Sequence, residues 1–239
     1  MRTRLAVPLQ FIYMTDIAVI DYGMGNLRSV SKALEHVAPA VRVVVTSDPH
    51  EVIKAGRVVF PGQGAMPDCM REMDARGLRQ AVLEAAQTKP FLGICIGMQM
   101  LFEHSEEGDV AGLGLFPGRV LRFPHEAMVD DKGNKLKVPH MGWNEVHQAM
   151  AHPLWAGIGD GARFYFVHSY YCEPATPDLV AAFTHYPFPF TSAVARDNIF
   201  AVQFHPEKSA AAGLALLGNF VLWDGSVSTT ESCASSSCM

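Results

Sequence analysis

From residue 16 to about residue 102, short runs of aliphatic residues alternate with longer segments in which apolar residues recur every three or four positions. The runs at 16–21, 41–45, 57–60 and 90–94 read as strands. The segments between them read as helices. Residues 27–37 place Leu27, Val30, Leu34 and Val37 on one face and stop at Pro39, and residues 68–87 are helical around Gly77. Gly23 and Gly25 turn the chain between the first strand and the first helix, and the residues after Gly97, Gln99 among them, have good helix propensity.

From Phe116 the rhythm shortens to alternating segments, 119–123 and 143–146, separated by glycine, proline and charged residues, the pattern of antiparallel hairpins. Strands at 163–171, 179–184 and 199–204 follow, and residues 209–222 form a closing helix. The fold class is therefore α/β: a mostly parallel central sheet flanked by helices on both faces, with an added antiparallel hairpin region. There is no repeat and no internal linker, so residues 15–225 are expected to form one domain. Residues 1–14 read as a short extension with Met14 as a candidate start, and 226–239 as a flexible Ser/Thr-rich tail whose composition buries too little area to offset its ordering entropy.

Composition narrows the function classes. Of 239 residues, 49% are hydrophobic, an ordinary globular content, and 19 basic against 24 acidic side chains leave no positive excess to track a phosphate backbone. Nucleic acid is not an expected partner, and no apolar run approaches the roughly 20 residues that cross a bilayer. Five cysteines without regular spacing argue for a reducing compartment, the cytoplasm, rather than a disulfide framework.

Candidate chemistry comes from three distant stretches. Gly93-Ile94-Cys95-Ile96-Gly97 lies between a predicted strand and helix, the geometry in which flanking glycines let a sharp turn present a nucleophile. There the Cys95 thiol is expected to face the positive end of a helix with an imidazole nearby, an arrangement that favours thiolate. His205-Pro206-Glu207 follows the strand at 199–204, so His205 emerges at the strand's C-terminal edge as a base and Glu207 returns to orient it. Pro61-Gly62-Gln63-Gly64 can turn backbone amides toward a developing oxyanion, with the Ile96 N–H as second donor. Each stretch has a plainer reading: a buried structural cysteine, a packed histidine, an ordinary Pro-Gly turn. Their joint presence favours catalysis, with a thiol attacking a carboxamide carbon.

Other candidates carry less. Gly23-Met24-Gly25-Asn26-Leu27-Arg28 departs from a dinucleotide fingerprint at Arg28, so no nicotinamide or flavin is implied and no cofactor is expected. His140 and His168 lack a nearby cluster of acidic or cysteine partners, so substrate contact or simple packing is expected of them and no metal site; Cys69 and Cys172 lack flanking glycines and a following His-x-Glu unit and are taken as structural.

With these motifs in place the chain resembles class I glutamine amidotransferases over nearly all of residues 16–224. More narrowly it resembles the glutaminase subunits of imidazole glycerol phosphate synthases, through the stretch from Ile20 to Val30, Pro139-His140-Met141-Gly142-Trp143-Asn144 and His205-Pro206-Glu207-Lys208-Ser209. Gln63 departs from the valine frequent in that loop.

The resemblance implies a Cys95–His205–Glu207 triad that hydrolyses L-glutamine to glutamate, with oxyanion donors from Gly62, Gln63, Gly64 and Ile96. It places Gln99, His168, Ser169 and Tyr170 on the glutamine pocket. It turns Asn26, Ser29, Trp143 and Lys208 toward a (β/α)8-barrel cyclase, to which ammonia passes through a channel for imidazole glycerol phosphate synthesis in histidine biosynthesis. Three alternatives remain open: the amidotransferase component of anthranilate or aminodeoxychorismate synthase, a γ-glutamyl peptide hydrolase, and a regulatory module that kept the fold without its activity.

Overall fold

A computed structural model describes residues 16–124, 128–129 and 133–226; the extension at 1–14 and nearly all of the tail at 226–239, Cys233 and Cys238 included, lie outside the described residues. The first half runs β1 (Ile17–Ile20), α1 (Leu27–Val37), β2 (Val43–Thr46), α2 (Pro49–Lys54), β3 (Arg57–Gly62), α3 (Met66–Ala75), α4 (Arg79–Thr88), β4 (Phe91–Cys95) and α5 (Ile96–Gln99). The second half is richer in strands: β5 (Phe102–Ser105), β6 (Val110–Ala111), β7 (Phe116–Arg122), β8 (His140–Gln148), β9 (Ala162–His168), β10 (Tyr170–Pro174), β11 (Val180–His185), β12 (Pro189–Arg196) and β13 (Ile199–Val202). Helix α6 (Ala210–Leu222) closes it.

The strands join in the order β2-β1-β3-β4-β13-β12-β10-β7-β5-β6, and the hairpin formed by β8 and β9 is attached through β11. From β2 to β13 every pairing is parallel; β12, β10 and β7 then pair antiparallel. Strand periodicity sorts the core into two layers. Ile17, Val19, Val59, Leu92, Phe200 and Val202 meet α1 and α6 through Leu34, Leu216 and Phe220. Their alternates Ala18, Ile20, Val58, Phe60, Phe91 and Ala201 meet α2, α3 and α4 through Val52, Met70, Met73 and Val82. The sheet is thus covered on both faces, and its parallel strands are continuous apolar runs for that reason.

Three differences from the sequence reading have physical causes. The helical stretch at 68–87 is two helices, because Gly77 adopts φ +65° and the Leu78 N–H bonds back to the Met73 carbonyl, ending α3. The single strand expected at 163–171 is two: β9 pairs with β8, β10 pairs with β7 and β12, and the chain changes partners at Ser169, whose carbonyl accepts the Phe123 N–H at 3.0 Å. Strands β5, β6 and β12 and the short helix α2 were not anticipated. Helix α2 is started by Asp48, whose carboxylate accepts the His50 N–H at 2.9 Å, with Pro49 at its first position.

Candidate active site

Strands β3, β4 and β13 are neighbours, with Gly62 opposite Cys95 and Val202 opposite Ile94, so their C-terminal ends deliver the three candidate stretches to one edge of the sheet. Cys95 adopts φ 56° and ψ −114°. For a residue with a Cβ that conformation costs about 1–3 kcal/mol and persists only where the surroundings enforce it. The two glycines make room for it. A Cβ on Gly93 would lie 2.9 Å from that of Ala201, and one on Gly97 would lie 1.9 Å from the Phe60 carbonyl oxygen. The elbow therefore sits flush against β13 on one side and β3 on the other.

Helix α5 is shorter than expected, four residues, because the chain returns to the sheet as β5. One turn carries little of a macrodipole, so the positive helix end foreseen behind Cys95 is replaced by nearby polar side chains.

His205 is fixed through its backbone: its N–H donates to the Tyr165 carbonyl at 2.9 Å, and the Ser209 hydroxyl donates to its carbonyl at 2.6 Å. Its Nδ1–H donates to Glu207 Oε1 at 2.9 Å, with both side chains buried. That bond assigns the tautomer and leaves Nε2 as the working nitrogen, which has no hydrogen-bond partner among the described residues. Burial alone disfavours the imidazolium, but the Cys95 sulfur as thiolate and the Glu207 carboxylate outweigh it and raise the His205 pKa. The sulfur and Nε2 are thus electrostatic neighbours without an aligned hydrogen bond.

Over Cys95 opens a cavity of about 450 Å3 lined by Gln63, Gly64, Ile96, Gln99, His168, Ser169, Tyr170, His205 and Lys208, together with Pro139, Val167 and Glu107. Gly62 lies beside this cavity, in a smaller cleft with Asn26, His205 and Glu207. A Cβ on Gly62 would meet the Tyr22 hydroxyl at 1.9 Å and Ile96 Cγ2 at 2.2 Å. The Cys69 thiol donates to the Gln63 carbonyl at 3.5 Å. Because a trans peptide points its N–H opposite its C=O, the Gly64 N–H is directed away from Cys69.

Polar side chains knit the cavity wall. The Gln99 Nε2 donates to the Tyr170 carbonyl at 3.1 Å and to Gln203 Oε1 at 3.0 Å, leaving only its oxygen free for a ligand. His168 Nδ1–H donates to the same Tyr170 carbonyl at 2.7 Å, so its Nε2 accepts from His140 Nδ1–H at 3.0 Å. Burial lowers the pKa of His168 to about 3 and of His140 to about 4, so both are neutral near pH 7. Burial has the opposite sign for thiols: it pushes Cys69 up to about 12 and Cys172 well above its ordinary value, and both are protonated.

The four positions expected at a partner face separate. Trp143 is 44% exposed, beside Met141 at 62%. Its ring meets Tyr165 at 6.3 Å, and the Lys208 ammonium lies over the other part of that cluster, 5.9 Å from the Tyr165 ring. Asn26 precedes α1 and borders the His205–Glu207 cleft, while Ser29 is half-buried in the first turn of α1.

Two residues at the site were missed in the sequence. Glu107, in a run of charged residues that reads as a solvated turn, is brought to the cavity by the tertiary fold, its carboxylate accepting the Met66 N–H at 2.8 Å. Gln203 was readable: it is the one polar residue within 199–204, and a fully buried glutamine amide needs partners.

The model of class-I glutamine amidotransferases matches residues 18–222. Among curated proteins, imidazole glycerol phosphate synthase subunit HisH of Thiobacillus denitrificans is 75% identical over 209 residues, covering 87% of this chain and 92% of the relative. The protein of the same name from Nitrosospira multiformis is 70% identical over 210 residues, covering 88% and 99%. The crystal structure of a glutamine amidotransferase from Thermotoga maritima has the same fold, with TM-score 0.57 at 15% identity over 84% of this chain and 79% of that one. A family match spanning almost the whole sheet, with relatives this similar end to end, leaves one assignment: the chain belongs to the class-I glutamine amidotransferases and, within them, to the family of imidazole glycerol phosphate synthase HisH subunits.

Proposed function

We propose that this chain hydrolyses L-glutamine at Cys95 and hands the ammonia to a cyclase partner of (β/α)8-barrel fold that makes imidazole glycerol phosphate, a step of histidine biosynthesis in the cytoplasm. The observation that carries the reading is the convergence of Cys95, His205 and Glu207 beneath one cavity at the C-terminal ends of adjoining parallel strands. The names of the relatives give the synthase and, in calling them a subunit of it, support a partner.

The chemistry follows from the geometry. The Cys95 sulfur, as thiolate, attacks the carboxamide carbon, and the carbonyl oxygen becomes an oxyanion received by backbone N–H groups of the Gly62–Gly64 loop and Ile96. The imidazolium of His205 gives its Nε2 proton to the departing amide nitrogen, releasing ammonia and leaving a thioester. The same Nε2, now basic, takes a proton from water as the water oxygen attacks the thioester. Collapse expels the thiolate, glutamate leaves, and the imidazolium is restored, so glutamine plus water gives glutamate plus ammonia. Glu207 holds Nδ1–H throughout, so that only Nε2 cycles.

Gln99 Oε1 and the Glu107 carboxylate suit the α-ammonium of an amino-acid substrate, since both accept and neither carries positive charge. Ammonia released to bulk water at neutral pH would protonate and lose its nucleophilic lone pair, which is the physical reason to pass it internally. Trp143 and Lys208 at the rim suit the partner face. Residues 15–225 are the functional unit, a reading supported by the extent of the family match.

The test is glutamate release by the chain alone and with a barrel cyclase and its ribotide ligand. A large rise on assembly and complete loss in Cys95→Ala are expected. Unchanged activity of Cys95→Ala would overturn the proposal.

A further inference from the structure

Gln203 is fully buried one residue beyond β13 and two before His205. Its backbone N–H continues toward β12, donating to the Ser192 carbonyl at 2.9 Å. The side-chain Oε1 accepts from Gln99 Nε2 at 3.0 Å, and the side-chain Nε2 donates to Cys95 Sγ at 3.8 Å, a contact distance suited to sulfur. The direction of this amide is not free. Gln99 must present its amine, because that nitrogen also donates to the Tyr170 carbonyl at 3.1 Å; a reversed Gln203 would set one NH2 against another. Gln99 Nε2 therefore donates both to the Tyr170 carbonyl and to Gln203 Oε1, and the Gln203 amide ends with an N–H aimed at the Cys95 sulfur.

We propose that Gln203 is a positioning residue for Cys95: its amide N–H holds the sulfur in the attacking orientation and supports the negative charge there. This rests on the reading of Cys95 as the nucleophile. The segment from 203 to 207 then supplies three groups to one reaction, a donor to the sulfur, the base and its orienter. The link through Gln99 also ties the sulfur's orientation to the Tyr170 wall of the cavity, so that a ligand drawing on Gln99 Oε1 tightens the same chain.

Two substitutions of nearly conserved volume test it in the assembled complex. Gln203→Met removes the donor; losing one modest hydrogen bond that acts on the reacting atom is expected to lower kcat about tenfold while KM stays within about threefold. Gln203→Glu keeps an oxygen for Gln99 but turns an acceptor toward the sulfur when ionised and a donor when protonated. Its activity relative to wild type is expected to rise as pH falls.

The titratable groups around position 203 are Cys95 from β4, His205 and Glu207 from its own segment, His168 from β9 and Cys172 from β10, with Tyr22 and Cys69 behind the elbow. All are present in both proteins, so the ratio removes only the titration they share; the carboxylate that Gln203→Glu introduces, when ionised, disfavours the neighbouring Cys95 thiolate and raises the His205 pKa, which adds to the expected rise as pH falls. Should Gln203→Met not reach the wild-type unfolding midpoint, Gln203→Glu decides alone. Variants within twofold of wild type, with a ratio flat in pH, overturn the proposal. Cys95→Ala in the same assay separates the two readings: if it is inactive while the Gln203 variants are unimpaired, only the role of Gln203 fails; if it is active, the nucleophile itself is misassigned.

Discussion

Replacing Gly97 by alanine probes the packing that holds Cys95 at the end of β4. The new methyl would lie 1.9 Å from the Phe60 carbonyl oxygen and 2.9 Å from its carbon, both backbone atoms of β3. Ordinary contacts begin near 3.4 Å, so full relief requires a separation of about 1.5 Å between the elbow and β3. Two effects oppose each other. Alanine favours helix over glycine by up to about 1 kcal/mol, whereas overpacking against a fixed backbone costs about 1–3 kcal/mol or more. Helix α5 has only four residues over which to realise the gain, so the clash wins and a net loss of about 2–3 kcal/mol is expected.

Function should suffer as well. Phe60 leads directly into Pro61 and Gly62, and Gly62 is the ladder partner of Cys95. Pushing β3 away widens the gap between the sulfur and the Gly62–Gly64 loop proposed to receive the oxyanion, and a displacement of about 1 Å costs on the order of a hundredfold in rate. Urea unfolding gives the first quantity, and glutamate release by the assembled complex gives the second. Gly159→Ala is the control, since its methyl meets nothing within 4 Å. A Gly97→Ala protein within about 0.5 kcal/mol of wild type and within twofold in activity would refute the reasoning.

Glu207→Gln removes one of the negative charges that raise the His205 pKa, so the imidazolium should deprotonate at lower pH and the alkaline limb of the pH–rate profile should move down, with kcat reduced about tenfold or more. His152 packs at a tilt against Phe200 and edge-on to Trp223, and burial lowers its pKa from 6.5 to about 4. Between those values the unfolded chain binds a proton that the native state refuses, so stability falls as pH drops from 6.5 toward 4. His152→Phe should flatten that acid limb by up to about 1.4 kcal/mol per pH unit, read from urea midpoints across pH. Trp143→Ala, at an exposed position, should leave the unfolding midpoint nearly unchanged and weaken assembly with the cyclase by about tenfold or more in Kd, measured by titration calorimetry.

The parallel half of the fold was legible because its strands, apart from the edge strand β2, are buried on both faces and are therefore continuous apolar runs, as in Ile17–Ile20 and Phe91–Cys95. The antiparallel half was harder. Strand β12 begins with Pro189 and carries Thr191 and Ser192, and the run across Ser169 holds no glycine or proline to mark its change of partners. The convergence of Cys95, His205 and Glu207 was legible because a strand places the residue that follows it at a known edge, a local relation that spacing preserves. Glu107 reaches the cavity only through tertiary packing. The helix end expected behind Cys95 was a propensity reading overridden when the chain rejoined the sheet at Phe102.

If Cys95 is the nucleophile, then it alone among the buried thiols Cys69, Cys95 and Cys172 forms the covalent intermediate. Treating the assembled complex with a diazoketone analogue of glutamine and mapping the adduct by peptide mass spectrometry tests this directly. One equivalent on Cys95, with loss of glutaminase activity in step with labelling and protection by glutamine, is the predicted result. Stoichiometric labelling of Cys69 or Cys172, or full activity after Cys95 is modified, would contradict it.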